Sequence, residues 1–303
     1  NIFPSAILSV ATTDAQVITP SDSMYLGNPK SCIAVRVKSR TAYSRVRIEV
    51  AETPFFSRSV SEFVLNRPRT EYTIYPDIIW NYEALKNNVQ AEPVSVAVKV
   101  EMNGDDLGQR VRTFSVRSIN ECLLGYVANG TKFYDTSIFF AAYVNEENPM
   151  IDQLLREALN TRIVNRFLGY QSKAKGVVDK QVYALWNILQ KRKFRYSSVS
   201  NTSLSSNVVF SQRVRTFDDA LDSSQINCVD GSVLFASLLR SINIDPILVR
   251  TPGHMFVGYY TDNSHKDMNF LETTMIGDVD LDDFFPFLYL SAIYRDMFWP
   301  FLA

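Results

Sequence analysis

The sequence predicts an α+β chain of two domains, an antiparallel β-sandwich over residues 1–120 followed by an α+β domain over residues 121–303. Two observations carry that expectation. Apolar residues recur with period two from about Ser31 to Ser118, as in half-buried strands, and with the helical period after about Cys122. At 303 residues and 46% hydrophobic side chains, the chain exceeds the usual size of one domain and has enough apolar material for a sizeable core in each half.

The strand signals come first along the chain. Cys32-Ile-Ala-Val-Arg-Val-Lys alternates in part, while Val46-Arg-Ile-Glu-Val and Val94-Ser-Val-Ala-Val-Lys-Val alternate throughout. Turn material separates them at Asn28-Pro29, Asn66-Arg67-Pro68 and Asn103-Gly104-Asp105-Asp106, a spacing that suits an antiparallel sandwich. The basic residues Arg36, Lys38, Arg40, Arg45 and Arg47 read either as an anion-binding patch or as the solvated outer face of strands; alternation favours the solvated face.

Helices follow. Asn148-Pro149 reads as an N-cap with a first-turn proline, and Ile151, Leu154, Leu155, Ala158 and Leu159 then share one stripe, with Gly169 as the expected stop. A second helix carries Val182, Leu185, Trp186 and Leu189 on its apolar face. Lys191, Arg192, Lys193 and Arg195 at its end complement the negative helix terminus. Asn201 to Ser206 is a polar, Ser-rich loop, and Thr216-Phe-Asp-Asp-Ala-Leu suggests a short capped helix. A third long helix starts close to Cys228 and runs through Val233, Leu234, Ala236, Leu238, Leu239 and Ile242. Ile247-Leu-Val-Arg, Met255-Phe-Val-Gly-Tyr-Tyr and Asn269-Phe-Leu-Glu-Thr-Thr then read as strands, the last two forming a hairpin across the turn Thr261 to Met268. Phe284 to Leu302, rich in Phe, Leu and Tyr, is expected to pack as a helix on the second domain.

Charge narrows the range of partners. Lys plus Arg (31) and Asp plus Glu (32) nearly cancel, and neither half is strongly basic, so nothing draws the chain to nucleic acid or an anionic membrane. No window is apolar and long enough to span a bilayer. A start at Asn1 suits an exported, periplasmic or cell-surface protein, or a trimmed chain alike. The three cysteines, Cys32, Cys122 and Cys228, are an odd number, so at least one has no intrachain disulfide partner. Cys32 and Cys122 either meet as a pair, if the first and last strands of the sandwich are neighbours, or serve as small buried hydrophobes.

The chemistry concentrates in the second domain. Cys228 lies at a helix start, where unpaired N–H groups and the helix dipole lower a thiol's pKa and favour the nucleophilic thiolate. Of the two histidines, His265 sits in the polar turn Asp262-Asn-Ser-His-Lys-Asp and reads as a surface residue. His254 follows Thr251-Pro252-Gly253 and opens an apolar strand, where a side chain is presented at a sheet edge. A catalytic imidazole needs a group to hold its second nitrogen. Glu272, on the other strand of the hairpin, falls on the same face by the period-two rule, while Leu271 and Thr273 point away. An acid inside an apolar strand is costly unless paired, which singles Glu272 out.

The order Cys228 at a helix start, Pro252-Gly253-His254 opening a strand, and Leu271-Glu272-Thr273-Thr274 one strand later resembles the transglutaminase-like core, a papain-like arrangement. The stretch from Asn227-Cys-Val-Asp-Gly-Ser to Ser241-Ile-Asn-Ile-Asp-Pro is similar to that family's central helix and the turn after it. The resemblance covers roughly residues 210 to 278, with an Ig-like sandwich as the preceding domain. It implies a Cys-His-acid triad that hydrolyses a peptide or amide bond, or transfers the acyl group to a second amine. The family's usual acid is Asp, where this chain has Glu272. The family also often places an aromatic residue or Gln beside the nucleophile as oxyanion donor; here the Cys228 backbone N–H is joined by Gln225 and Asn227 as side-chain candidates. No cofactor is expected, and the acidic run Asp278, Asp280, Asp282 and Asp283 reads as a solvated stretch rather than a metal site. Two competing readings are a catalytically silent binding or scaffold protein on the same fold, and a surface assembly protein whose cysteines are structural.

Overall fold

Strand formation in the first half follows the alternation closely. In Ser44–Val50 the residues Ser44, Val46, Ile48 and Val50 are buried, while Arg45, Arg47 and Glu49 face outward. The computed structural model describes residues 2–4, 8–9, 24–27, 33–118, 120–128, 130–172, 174, 176–198 and 209–277. Cys32, the turn Asn28-Pro29, the Ser-rich loop Asn201 to Ser206, the run Asp278 to Asp283 and the stretch Phe284 to Leu302 lie outside the described residues.

In chain order the elements are β1 (Ile2–Pro4), β2 (Leu8–Ser9), β3 (Tyr25–Gly27), β4 (Ile33–Lys38), β5 (Ser44–Val50), β6 (Phe56–Ser57), β7 (Ser59–Leu65), β8 (Glu71–Tyr75), β9 (Ile79–Trp80), α1 (Tyr82–Asn87), β10 (Glu92–Met102), β11 (Asp105–Val116), β12 (Glu121–Ala128) and β13 (Lys132–Asp135). There follow α2 (Pro149–Asn160), α3 (Val177–Lys191), β14 (Arg195–Tyr196), β15 (Val209–Arg213), α4 (Phe217–Ser223), β16 (Gln225–Ile226), α5 (Cys228–Ser241), β17 (Pro246–Thr251), β18 (His254–Tyr260) and β19 (Met268–Leu271). The fold is mixed α+β with mostly antiparallel strands, in two compact units: Asn1–Ser137 with Asn201–Arg213, and Ile138–Ser200 with Val214–Ala303.

The first unit has a four-stranded sheet, β1-β4-β8-β3, and a five-stranded sheet, β2-β11-β10-β5-β7. Both sheets contribute to one core: Ile33, Val35, Tyr72 and Ile74 from the first, and Ile48, Val96, Val98 and Phe114 from the second. Each such side chain contributes about 1.5 to 3 kcal/mol by leaving water. Asp105 and Asp106, expected in a turn, belong to β11. The turn itself is only Asn103-Gly104, with φ of 55° and 92°, the left-handed pair that a two-residue hairpin requires. The long β11 escaped the sequence reading because it is exposed from Asp105 to Thr113 and lacks an apolar row.

The first unit extends past residue 120, because β12 pairs with β13 on one side and with β15 on the other. A buried ion pair, Arg117 to Glu121 at 2.8 Å, is reached by Ser211 of β15 and fixes that junction. Cys122 is a free, buried thiol there.

In the second unit α2 begins as expected, with the Asn148 side chain accepting from the Met150 N–H. It ends at Asn160, well before Gly169. Thr161 turns its hydroxyl back onto the Ala158 carbonyl, and Arg162 takes a left-handed φ of 60°, which stops the helix. Arg192, expected to answer the α3 dipole, instead forks onto Glu157 of α2 through two bonds of 2.8 and 2.5 Å. The α5 helix is apolar nearly all round and packs against β17, β18, α2 and α3. Among the described residues no helix is long and apolar enough to cross a membrane.

Candidate active site

The start of α5 is fixed by a reciprocal cap. The Asn227 side chain accepts from the Asp230 N–H at 2.8 Å, and the Asp230 carboxylate accepts from the Asn227 N–H at 3.1 Å. Asp230 also accepts from the Arg215 N–H at 2.8 Å and pairs with its guanidinium at 3.2 Å. Cys228 is therefore the first helical residue of a rigid turn. Asp230→Ala removes the carboxylate half of the capping box and a charged partner of Arg215, whose guanidinium still donates to the Gln225 carbonyl at 2.9 Å. Since Arg215 is 17% exposed and regains some water, we expect a loss of about 2 to 3 kcal/mol in denaturant unfolding.

His254 is positioned by its turn. Thr251 and His254 face each other across the β17–β18 hairpin, and Pro252-Gly253 between them, with Gly253 at φ 78°, fits a type II turn. The β18–β19 register pairs Val257 with Leu271, so the next residue, Glu272, comes opposite Phe256 and on the His254 face. His254 Nε2 lies 2.6 Å from Glu272 Oε2. The imidazole is 31% exposed and the carboxylate only 6%.

Glu272 differs from expectation in one respect. The strand ends at Leu271, and Glu272 caps a short 3-10 turn, Thr273–Met275. Its Oε1 accepts from the Thr274 N–H at 3.1 Å and the Thr274 hydroxyl at 2.6 Å, bonds that pull the backbone out of the ladder. One carboxylate oxygen thus holds the turn while the other meets the imidazole.

The helix start packs closely against Thr273, the residue after this acid. A Cβ added at Gly231 would lie 2.6 Å from Thr273 Oγ1 and 2.9 Å from Thr273 Cβ. Gly231→Ala should consequently destabilise the fold by about 1 to 3 kcal/mol and slow Cys228 alkylation, because Thr273 cannot move without displacing Glu272. Thermal melts and thiol labelling of the same variant check both effects.

The environment of Cys228 corrects a further expectation. Its thiol pKa is raised above the ordinary value, first by burial and also by the Glu272 charge, while the N–H groups of Met255, Val229 and Cys228 itself pull it down only in part. A helix start alone does not yield a thiolate when the sulfur is half-buried beside a carboxylate. The Met255 N–H brings the sulfur to the residue after His254, but among the described residues no hydrogen bond joins the thiol to the imidazole.

Of the oxyanion candidates, Asn227 is buried with its carboxamide oxygen committed to the cap, and Gln225 is exposed in β16. A residue the sequence reading missed is Tyr196. Its phenol pKa is raised first by burial, then by the charges of Cys228 and Glu272, so it lies within electrostatic reach of both. Parallel pairing with Ile226, two residues before the cysteine, brings it there. A two-residue strand has no periodicity to announce it. His265 lies on the surface, stacked on Tyr260 and 2.8 Å from Asp245.

Comparison of the chain with family models, with curated proteins and with solved structures finds no match.

Proposed function

We propose that the second unit is a transglutaminase-like, papain-like acyl-transfer domain and the first an Ig-like β-sandwich, and that the chain hydrolyses a peptide or amide bond through Cys228, His254 and Glu272. The observation that carries this reading is the 2.6 Å bond between His254 Nε2 and Glu272 Oε2, beside a cysteine at the start of a buried helix. Held this way, the imidazole donates Nε2–H to Glu272 and leaves Nδ1 to take the thiol proton. Sulfur attacks the amide carbonyl, and the imidazolium returns its proton to the departing amine. Water then attacks the thioester, with His254 accepting its proton and the thiol as leaving group. The Cys228 backbone N–H and the Tyr196 phenol are the candidate donors for the developing oxyanion.

A second reading, a catalytically silent scaffold, draws on the raised Cys228 pKa and the missing thiol–imidazole bond. The test is acid-quenched mass spectrometry of the full chain incubated with a pool of peptide amides. We expect a thioester adduct on Cys228 that is absent in Cys228→Ala, with label from oxygen-18 water entering the released acid. No adduct, together with a Cys228 no more reactive than an unfolded thiol, favours the scaffold.

A further inference from the structure

We propose that one end of the first unit is a docking surface for an acidic peptide segment of another protein, formed by the loops 39–43 and 66–70. At that end the chain passes from β4 in one sheet to β5 in the other, and returns from β7 to β8. The register sets the two loops side by side, since Lys38 faces Glu71 across β4–β8 and Ser44 faces Leu65 across β5–β7. Arg40 and Tyr43 are exposed in the first loop, Arg67 and Arg69 in the second, and Arg45 at the start of β5 beside them.

The basic cluster of the sequence is thereby divided. Arg36 meets Glu71 at 3.8 Å, and Arg47 meets Glu49 and Glu101 on the outer face of the larger sheet. Among the described residues Arg40, Arg45, Arg67 and Arg69 form no ion pair. On the adjoining strand ends Glu71 is answered by Arg36, while Glu101 and Asp106 are answered by Lys99 at 3.0 and 3.1 Å, which leaves Asp105 at the hairpin tip.

The loops are set in place by internal bonds rather than by their charges. The Arg69 N–H donates to the Ser39 carbonyl at 2.7 Å, joining one loop to the other, and the Arg67 N–H donates to the hydroxyl of buried Tyr72 at 2.9 Å. The hydroxyls of Ser39 and Thr41 lie 2.6 and 2.7 Å from that of Ser44, and the Arg45 N–H donates to the Asn103 carboxamide oxygen at 2.9 Å. Pro68 fixes φ between the two arginines of the second loop. A surface ordered in advance loses less entropy on binding.

Tyr43 points to the same use. It is 73% exposed at a φ of 55°, a conformation that disfavours a bulky residue, and among the described residues its ring has no aromatic or hydrogen-bond partner. Guanidinium forks hold carboxylates through paired hydrogen bonds, and arginine and tyrosine are the residues that most often anchor protein interfaces. Neither loop contains a lysine, which attraction to a membrane would employ equally well.

Titrating a dye-labelled octaglutamate peptide with the full chain, followed by fluorescence anisotropy, tests this surface. We expect saturable binding at least about tenfold tighter than that of octaglutamine, weakening with added salt. Arg40→Gln with Arg69→Gln keeps the backbone bonds of both loops and should lower the affinity about tenfold or more. Arg156→Gln with Arg166→Gln, an equal loss of charge at exposed positions of the second unit, should change it less than about twofold. Tyr43→Gly alters no charge and suits the left-handed backbone, yet should weaken binding about fivefold or more. Equal binding of octaglutamine, equal losses in the two charge variants, unchanged affinity in either loop variant, or no saturable binding overturns the proposal. So does tighter binding of an octathymidylate strand or of phosphatidylserine vesicles, which would assign the surface to nucleic acid or to a membrane.

Discussion

Replacing His254 with alanine should slow iodoacetamide alkylation of Cys228 near pH 7 on the order of 100-fold and move its midpoint to higher pH. The sign follows from the surroundings of the sulfur. Burial and the Glu272 charge raise the thiol pKa, and the nearby N–H groups offset only part of the rise. Without the imidazole, a thiolate must form against these effects. With it, the proton can pass to a ring whose other nitrogen is 2.6 Å from a carboxylate, so the wild type should alkylate faster and at lower pH than the variant. Cys122 serves as an internal control. Its thiol is pushed up to about 12 by burial, so it should stay unlabelled in the folded protein and react only on unfolding. Site-resolved mass spectrometry across a pH series separates the two cysteines. A Cys228 as inert as Cys122 in the wild type would remove the case for nucleophilic catalysis.

Glu272→Gln should cost about 10³ in turnover of any peptide amide that the wild type cleaves, while leaving the fold largely intact. A carboxamide can keep its oxygen on the Thr274 N–H and hydroxyl, so the short turn after β19 survives. Its NH2 group then faces His254 Nε2, which must accept rather than donate. The proton is driven to Nδ1, where it blocks uptake of the thiol proton. Glu272→Ala removes the turn contacts as well and should add a loss of about 1 to 2 kcal/mol in stability. Comparing kcat with the melting temperature in the two variants separates the orienting role of the carboxylate from its structural one. A Gln variant with full activity would mean that the His254–Glu272 pair only holds the hairpin together.

Much of the architecture is legible along the chain because local patterns and burial coincide. Val46-Arg-Ile-Glu-Val alternates in sequence and in the fold, and Asn148-Pro149, Thr216 and Asn227 all cap the helices that follow them. His254 and Glu272 could be paired because a hairpin with period-two side chains brings one residue near another on the same face. The end of α2 was not legible, since it depends on Thr161 and Arg162 rather than on a glycine. Nor was β11, whose exposed edge has no apolar row, or the place where the first unit ends, which depends on β15 returning to β12 from far along the chain.

The sequence by itself therefore determined the strand and helix periods, the helix start at Cys228 and the residues able to form a Cys-His-acid set, all consequences of short-range geometry. Tertiary structure decided whether that cysteine is easily ionised, because the balance between burial and N–H groups depends on what packs around the sulfur. It also decided that Tyr196 pairs with Ile226 just before the cysteine and that Glu272 divides its oxygens between a turn and an imidazole. Each of these joins residues distant in the chain, and only long-range packing brings such groups within a few ångströms.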